Sequence, residues 1–154
     1  MILAWRFVKT RLAATAFDGE RARINGGRWN SPGTTVAYAS STTSLALLEV
    51  LVHVPSAAIL GSYSIVSVEI PESCVEELPV VAIPSNWKAS PAPASTQSIG
   101  DKWIVAQSSA VLRVPSAVVD SEFNFLINVA HPDFSKLHVG TPKPFELDTR
   151  LLGS

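Results

Sequence analysis

The stretch Val36-Ala37-Tyr38-Ala39-Ser40-Ser41-Thr42-Thr43-Ser44-Leu45-Ala46-Leu47-Leu48-Glu49-Val50-Leu51-Val52-His53-Val54, followed by Pro55, decides how the chain is read. Val36–Ala39 has the composition of a short strand. Ser40 to Thr43 supply several hydroxyls suited to an N-cap, and the run to Val54 reads as a helix that Pro55 follows. Apolar residues occupy nearly every face of that helix, so it is expected to be buried on most sides. Glu49 is the only charged side chain between Arg28 and Glu69. A carboxylate in such surroundings is costly without partners, so Glu49 either has a structural partner, lies on an exposed stripe or lines a pocket.

Working outward, the strand-then-helix pattern continues in short pieces. Ile2–Val8 reads as a strand with Trp5 and Phe7 on one face, and Leu12–Asn25 as a short helix or loop. Asn25-Gly26-Gly27-Arg28-Trp29-Asn30-Ser31-Pro32-Gly33 is dense turn chemistry. Beyond the helix, Ser62–Ile70 is a strand ended by Pro71. Ser73–Leu78 reads as a turn or short helix and Val80–Ile83 as a short strand. Pro84–Ser98 holds three prolines among Ser and Ala, a long irregular loop with either a binding or lid role or that of a tolerated insertion. Gly100–Ser109 reads as a helix with Trp103 on its buried side. Ala110–Val114 is a strand broken at Pro115-Ser116, with Ala117–Val119 as a continuation. Glu122–Val129 is strand or loop, and Asp133–Val139 and Phe145–Leu152 are closing strands. The class is α+β, with many short strands and few helices.

A chain of 154 residues fits one domain, 1–154. At 47% hydrophobic and 16% charged it can build a core, and so little charge suggests surface covered by a partner or a second copy. The net charge of -1 gives no general pull toward nucleic acid. The single cysteine, Cys74, excludes an internal disulfide and a Cys-based zinc site. The opening Met1-Ile2-Leu3-Ala4-Trp5-Arg6 is too short and too soon charged for a signal peptide, and Leu45–Val54 is too short for a bilayer span. The cytoplasm is the expected compartment, with no membrane role.

Arg28 is the expected counterpart of Glu49, since no other Lys or Arg follows it until Lys88. Set in a Gly-Gly turn, its planar fork suits phosphate oxygens. Ser116 ends an apolar strand just after Pro115, either presenting its hydroxyl to a cleft or bonding nearby backbone. Arg113 reads as a structural pair. Asn124, Asn128 and His131-Pro132-Asp133 form a further polar group. The three histidines lack metal-type spacing, so no metal site is expected. There is no GxxxxGK[ST], no GxGxxG and no G-x-S-x-G, so a P-loop ATPase, a Rossmann site and a serine hydrolase are unsupported.

The ordered set Trp5-Arg6, Gly26-Gly27-Arg28-Trp29-Asn30, Val36-Ala37-Tyr38-Ala39-Ser40, Ala46-Leu47-Leu48-Glu49, Leu112-Arg113-Val114-Pro115-Ser116, Asn124-Phe125-Leu126-Ile127-Asn128 and His131-Pro132 resembles the RES domain, and covers nearly the whole chain. The resemblance implies an ADP-ribosyltransferase-like fold of short-stranded split β-sheets with few flanking helices. It implies a toxin encoded beside an Xre-type antitoxin, with NAD as substrate and cleavage of the nicotinamide–ribose bond. ADP-ribose then passes to a protein acceptor, to water or to phosphate. The name-giving catalytic residues would be Arg28, Glu49 and Ser116. Tyr38 and Asn128 would join them in holding NAD, and Lys9 and Trp29 would line the pocket. Nucleic acid would be met only through the antitoxin, and a homodimer is compatible. The rival reading is a non-catalytic module that only binds its antitoxin.

Overall fold

A computed structural model describes residues 1–53 and 62–152. Eight strands form one curled sheet: β1 (Ile2–Lys9), β2 (Ala37–Ser40), β3 (Tyr63–Ile70), β4 (Val75–Glu77), β5 (Val111–Pro115), β6 (Phe123–Ile127), β7 (His138–Val139) and β8 (Lys143–Phe145). Their order is β4-β5-β6-β2-β1-β3-β7, with β8 also on β3. Only β4–β5 is parallel. In place of the expected split sheets there is one sheet whose two halves are joined at the centre, where β1 and β2 meet through a single pair, Trp5↔Ser40. On either side the pairing is continuous, over eight residue pairs in β1–β3 and five in β5–β6.

Side-chain alternation assigns the two faces. Ala4 and Val8 of β1, Ala37 and Ala39 of β2, Val66 and Val68 of β3, and Phe125 and Ile127 of β6 pack into one core with Ala16 and Phe17. The opposite face carries two separate clusters. Phe7 and Tyr63 pack with Ala46 on the β1–β3 half. Val36, Leu112, Val114 and Leu126 pack with Trp29 and Trp103 on the β5–β6 half. Phe7 stacks on Tyr63 at 4.9 Å and meets Phe145 edge-on at 4.8 Å. Each such aromatic pair contributes roughly 0.5–1.5 kcal/mol beyond area burial. The polar ends of β2, β5 and β6 lie between these two clusters.

Among the described residues three α-helices flank the sheet: α1 (Glu20–Asn25), α2 (Thr43–Leu51) and α3 (Ala94–Ala106). The helix expected to run to Val54 ends at Leu51, and Val54 and Pro55 lie outside the described residues. It is also less buried than its composition suggested. Leu45 and Ala46 are buried, while Leu48 and Val52 are 38% and 57% exposed. A short helix lying on a sheet buries one stripe, and here that stripe meets β1 and β2.

Several boundaries differ from the sequence reading. Val80–Ala82 is a 3-10 turn rather than a strand, and Glu72–Cys74 is a 3-10 turn that leads into β4. Ala117–Val119 does not extend β5, and Phe145–Leu152 divides into the end of β8 and a 3-10 turn. Helix α3 starts at Ala94, six residues before Gly100, so the irregular part of Pro84–Ser98 is confined to 84–93. The start follows Pro93, whose fixed φ suits the position before a first helical turn. Gly100 explains why α3 lies where it does. A Cβ there would stand 1.6 Å from the Trp29 carbonyl oxygen, so only glycine lets the helix approach that backbone.

Candidate functional site

Two local constructions border the same sheet face. The first is built around Glu49. The Thr42 side chain caps α2 by accepting from the Leu45 N–H at 3.0 Å, and its hydroxyl donates to Glu122 at 2.7 Å. Seven residues make almost two helical turns, so Glu49 lies on the same side of α2 as Thr42 and faces the sheet. There it is half-buried, and Oε1 accepts from Ser116 Oγ at 2.8 Å and from Asn124 Nδ2 at 2.8 Å. Ser116 is fully buried, and its Oγ also accepts the N–H groups of Val118 and Val119 at 3.1 Å each. Asn124 is oriented in turn by Ser40, whose hydroxyl donates to Oδ1 at 2.8 Å.

The second construction is the Gly26–Asn30 turn. Gly27 and Asn30 form a one-pair bridge, with the Gly27 N–H donating to the Asn30 carbonyl at 3.0 Å. Asn30 is fully buried, and Nδ2 donates to the Ala22 and Thr34 carbonyls at 2.9 and 3.2 Å. Its Oδ1 accepts from the Tyr38 hydroxyl at 2.6 Å, and that hydroxyl accepts the Trp29 N–H at 3.2 Å. Burial pushes the Tyr38 phenol well above its ordinary value. On the outer side, α3 grips the turn: Thr96 Oγ donates to the Arg28 carbonyl at 2.6 Å and Gln97 Nε2 to the Gly27 carbonyl at 3.1 Å.

Arg28 itself reaches segment 84–93. Its Nη1 donates to the Trp87 and Ala89 carbonyls, both at 2.8 Å. Lys88 bridges from this segment to Asp120 at 3.0 Å, in the turn that follows Ser116. The segment is therefore bonded both to the Arg28 side chain and to the turn that follows Ser116.

Among the described residues, Arg28 and Glu49 do not pair, contrary to the expected match of lone cation and lone anion. Glu49 is held by neutral donors and Arg28 by neutral acceptors. Tyr38 and Ser40 are alternate residues of β2, so their side chains share a face about 7 Å apart. The turn and the Glu49 group are thus neighbours across that strand. Arg28, Tyr38, Glu49 and Ser116 are brought to one side of the sheet. Asn128 lies apart from the Glu49 group, on the far side of Tyr38, because Leu126 opposes Tyr38 and Asn128 is two residues further on. It follows β6, four residues and roughly 13 Å beyond Asn124. Its Oδ1 accepts the Ala130 N–H at 3.1 Å and its own N–H donates to Ala110 at 2.8 Å. Trp29 does not line the cleft, since it is buried in the core at 1% exposure. Lys9 ends β1 opposite Tyr63. Arg113 is structural as expected, paired with Glu77 and lying 4.0 Å over the Phe123 ring. Among the described residues no group of His, Cys, Asp or Glu is arranged to hold a metal, and no helix is long and apolar enough to cross a membrane.

A curled sheet whose two halves meet at a single residue pair thus carries, on one face, a carboxylate held by neutral donors and, across β2 from it, a glycine turn bearing an arginine. The chain belongs to the RES domain family, whose model matches residues 3–148. It is 38% identical to a "Toxin Res" of Yersinia enterocolitica over 97% of this chain and 99% of that one. It is 35% identical to a "Prs ADP-ribosylating toxin" of a Sphingobium strain, over 96% and 95% of the two chains. Among solved structures it is similar to a chain of the M. tuberculosis MbcT–MbcA toxin–antitoxin complex, with a TM-score of 0.74 and 14% identity, over 93% of this chain and 83% of that one. That likeness bears on the fold.

Asn124, Ser40 and Asn30 are the polar residues whose roles the sequence did not disclose. Their motifs were visible, but the contacts that give them roles join residues 75, 84 and 8 positions apart.

Proposed function

We propose that the chain is the toxin of a toxin–antitoxin pair and that it binds NAD across the parted sheet and breaks the nicotinamide–ribose bond. One observation carries this reading: among the described residues the Glu49 carboxylate is fixed by two neutral donors and by no cation. A cationic partner would offset its field. Neutral donors hold the carboxylate in place and leave its charge available.

The bond electrons leave with nicotinamide, whose ring nitrogen becomes neutral, and the ribose acquires oxocarbenium character. A preorganised carboxylate facing that sugar stabilises the transition state, an effect of roughly a few kcal/mol in a site shielded from water. The acceptor oxygen then bonds to the ribose carbon and its proton passes to Glu49. Arg28 serves the pyrophosphate through the nitrogens that segment 84–93 leaves free. The Tyr38 hydroxyl is engaged by the turn, so its contribution to ligand is the ring face. The name of the Sphingobium relative supports protein ADP-ribosylation, while water and phosphate remain chemically competent acceptors. The similar solved chain belongs to a toxin–antitoxin complex, which supports an antitoxin partner. That the antitoxin is of the Xre type and the pair acts in the cytoplasm is part of the same proposal.

The test is incubation of the purified chain with NAD, following nicotinamide release and product mass, for the wild type and for Glu49→Ala and Arg28→Ala. Loss of release in Glu49→Ala supports the reading. Unchanged release by a folded Glu49→Ala removes it. Release by no form of the chain would revive the antitoxin-binding module. A labelled protein indicates transfer, and free ADP-ribose or its phosphate indicates the other acceptors.

A further inference from the structure

We infer that Asn124 is a positioning residue that selects which oxygen of Glu49 faces substrate. The inference rests on the proposed role of Glu49. Both donors, Ser116 Oγ and Asn124 Nδ2, converge on Oε1 at 2.8 Å. Among the described residues nothing donates to Oε2. The carboxylate is therefore pinned at one oxygen, which leaves Oε2 as the working atom. The amide cannot turn over without penalty. Reversed, its oxygen would face the Glu49 carboxylate with no proton between them, and the Ser40 hydroxyl, which now donates to Oδ1 at 2.8 Å, would have to turn and accept instead.

The same geometry assigns Ser116. Its proton is committed to Glu49 and its lone pairs take two backbone N–H groups, so it serves the carboxylate rather than nicotinamide or ribose. The clamp thus has one arm from the end of β5 and one from β6, and both close on a helix that those strands do not themselves contact through backbone pairing. Ser40, on β2 opposite Asn124, completes it.

The experiment is steady-state nicotinamide release for Asn124→Ala, Asn124→Asp, Ser40→Ala and Glu49→Gln, each with a thermal melt. A hydrogen bond to a charged group lost from the transition state lowers kcat by about 10- to 100-fold. Asn124→Ala is expected to lose kcat in that range while KM changes by less than about threefold, because the residue touches Glu49 and not NAD. Asn124→Asp, which sets a second carboxylate against Oε1, falls below Asn124→Ala. Ser40→Ala, which keeps the amide but frees it to rotate, lies between wild type and Asn124→Ala. If Asn124→Ala fails to fold, Ser40→Ala carries the same test.

Folded Asn124→Ala with wild-type kcat, or Asn124→Asp as active as wild type, overturns the inference. Those results with an inactive Glu49→Gln leave the role of Glu49 standing, whereas an active Glu49→Gln removes that role first. A readout independent of turnover is the melting of Asn124→Ala, Glu49→Gln and the double variant. The clamp predicts losses that do not add, and strictly additive losses contradict it.

Discussion

Replacing Gly100 by alanine adds one methyl group to the middle of α3, and the sign of its effect depends on a single contact. In an exposed helix the change stabilises by roughly 1 kcal/mol, because alanine is the better helix former. Here the new Cβ would stand 1.6 Å from the Trp29 carbonyl oxygen and 2.8 Å from its carbonyl carbon. Both are backbone atoms, so no rotamer change relieves the clash. To reach ordinary contact the helix must retreat by about 2 Å. Overpacking of that kind costs about 1–3 kcal/mol. The retreat also stretches the bonds from Thr96 and Gln97 to the Arg28 and Gly27 carbonyls, now 2.6 and 3.1 Å, at about 1 kcal/mol each. After the propensity gain, the net loss is about 2–4 kcal/mol, a fall in Tm of about 5–15 °C for a domain of this size. Thermal melting followed by circular dichroism reads it directly. Because the moving helix grips the Arg28 turn, KM for NAD should rise in the same variant. A Gly100→Ala protein that melts at or above the wild-type temperature refutes the close packing of α3 on that turn.

The Tyr38 phenol, raised by burial, should resist ionisation, and the sign follows from linkage. The unfolded chain releases the proton near the ordinary phenol value of 10.0 and the folded chain does not, so stability is intact below that pH. Above it, stability falls by about 1.4 kcal/mol per pH unit, and Tyr38→Phe should flatten this slope in melts between pH 9 and 11 (about one unit either side). An equal slope in both proteins would contradict the enclosure of that hydroxyl. Arg28→Ala should raise KM for NAD by about 10-fold or more, as loss of a charge-assisted phosphate contact does. An unchanged KM removes Arg28 from the ligand site. Lys88 and Asp120 are 49% and 71% exposed, so Lys88→Ala should shift stability by less than about 1 kcal/mol. A larger shift would mean that the ion pair, rather than Arg28, holds segment 84–93.

The elements with strong local signals were legible in the sequence. The strands expected at Ile2–Val8 and Ser62–Ile70 and the helix expected after the hydroxyls of Ser40 to Thr43 appear as β1, β3 and α2, because burial of alternate or helically spaced residues is what holds those elements. The start of α3 was hidden. Pro91 and Pro93 signal a loop, and Ala-Ser-Thr-Gln carries no apolar period, so only tertiary contacts such as Thr96 to Arg28 reveal a helix there. Val80 and Val81 suggested a strand by side-chain type, yet they are 83% and 96% exposed on a 3-10 turn. At the site, Glu49 stood out because charge is so scarce around it. Its partners did not, since a serine and an asparagine are common residues whose meaning lies in a contact across 67 and 75 positions. Asn124 and Asn128 illustrate the limit. Composition does not separate them, but the sheet register sets one against Ser40 and leaves the other to cap a turn.

The initial rate of nicotinamide release from saturating NAD, compared between wild type and a folded Glu49→Gln protein, bears most directly on the chemistry. The substitution keeps the shape of the side chain and removes its charge. A fall of about 100-fold or more is expected, in keeping with loss of a principal electrostatic contact. Equal rates would mean that the carboxylate's charge plays no part in breaking the bond.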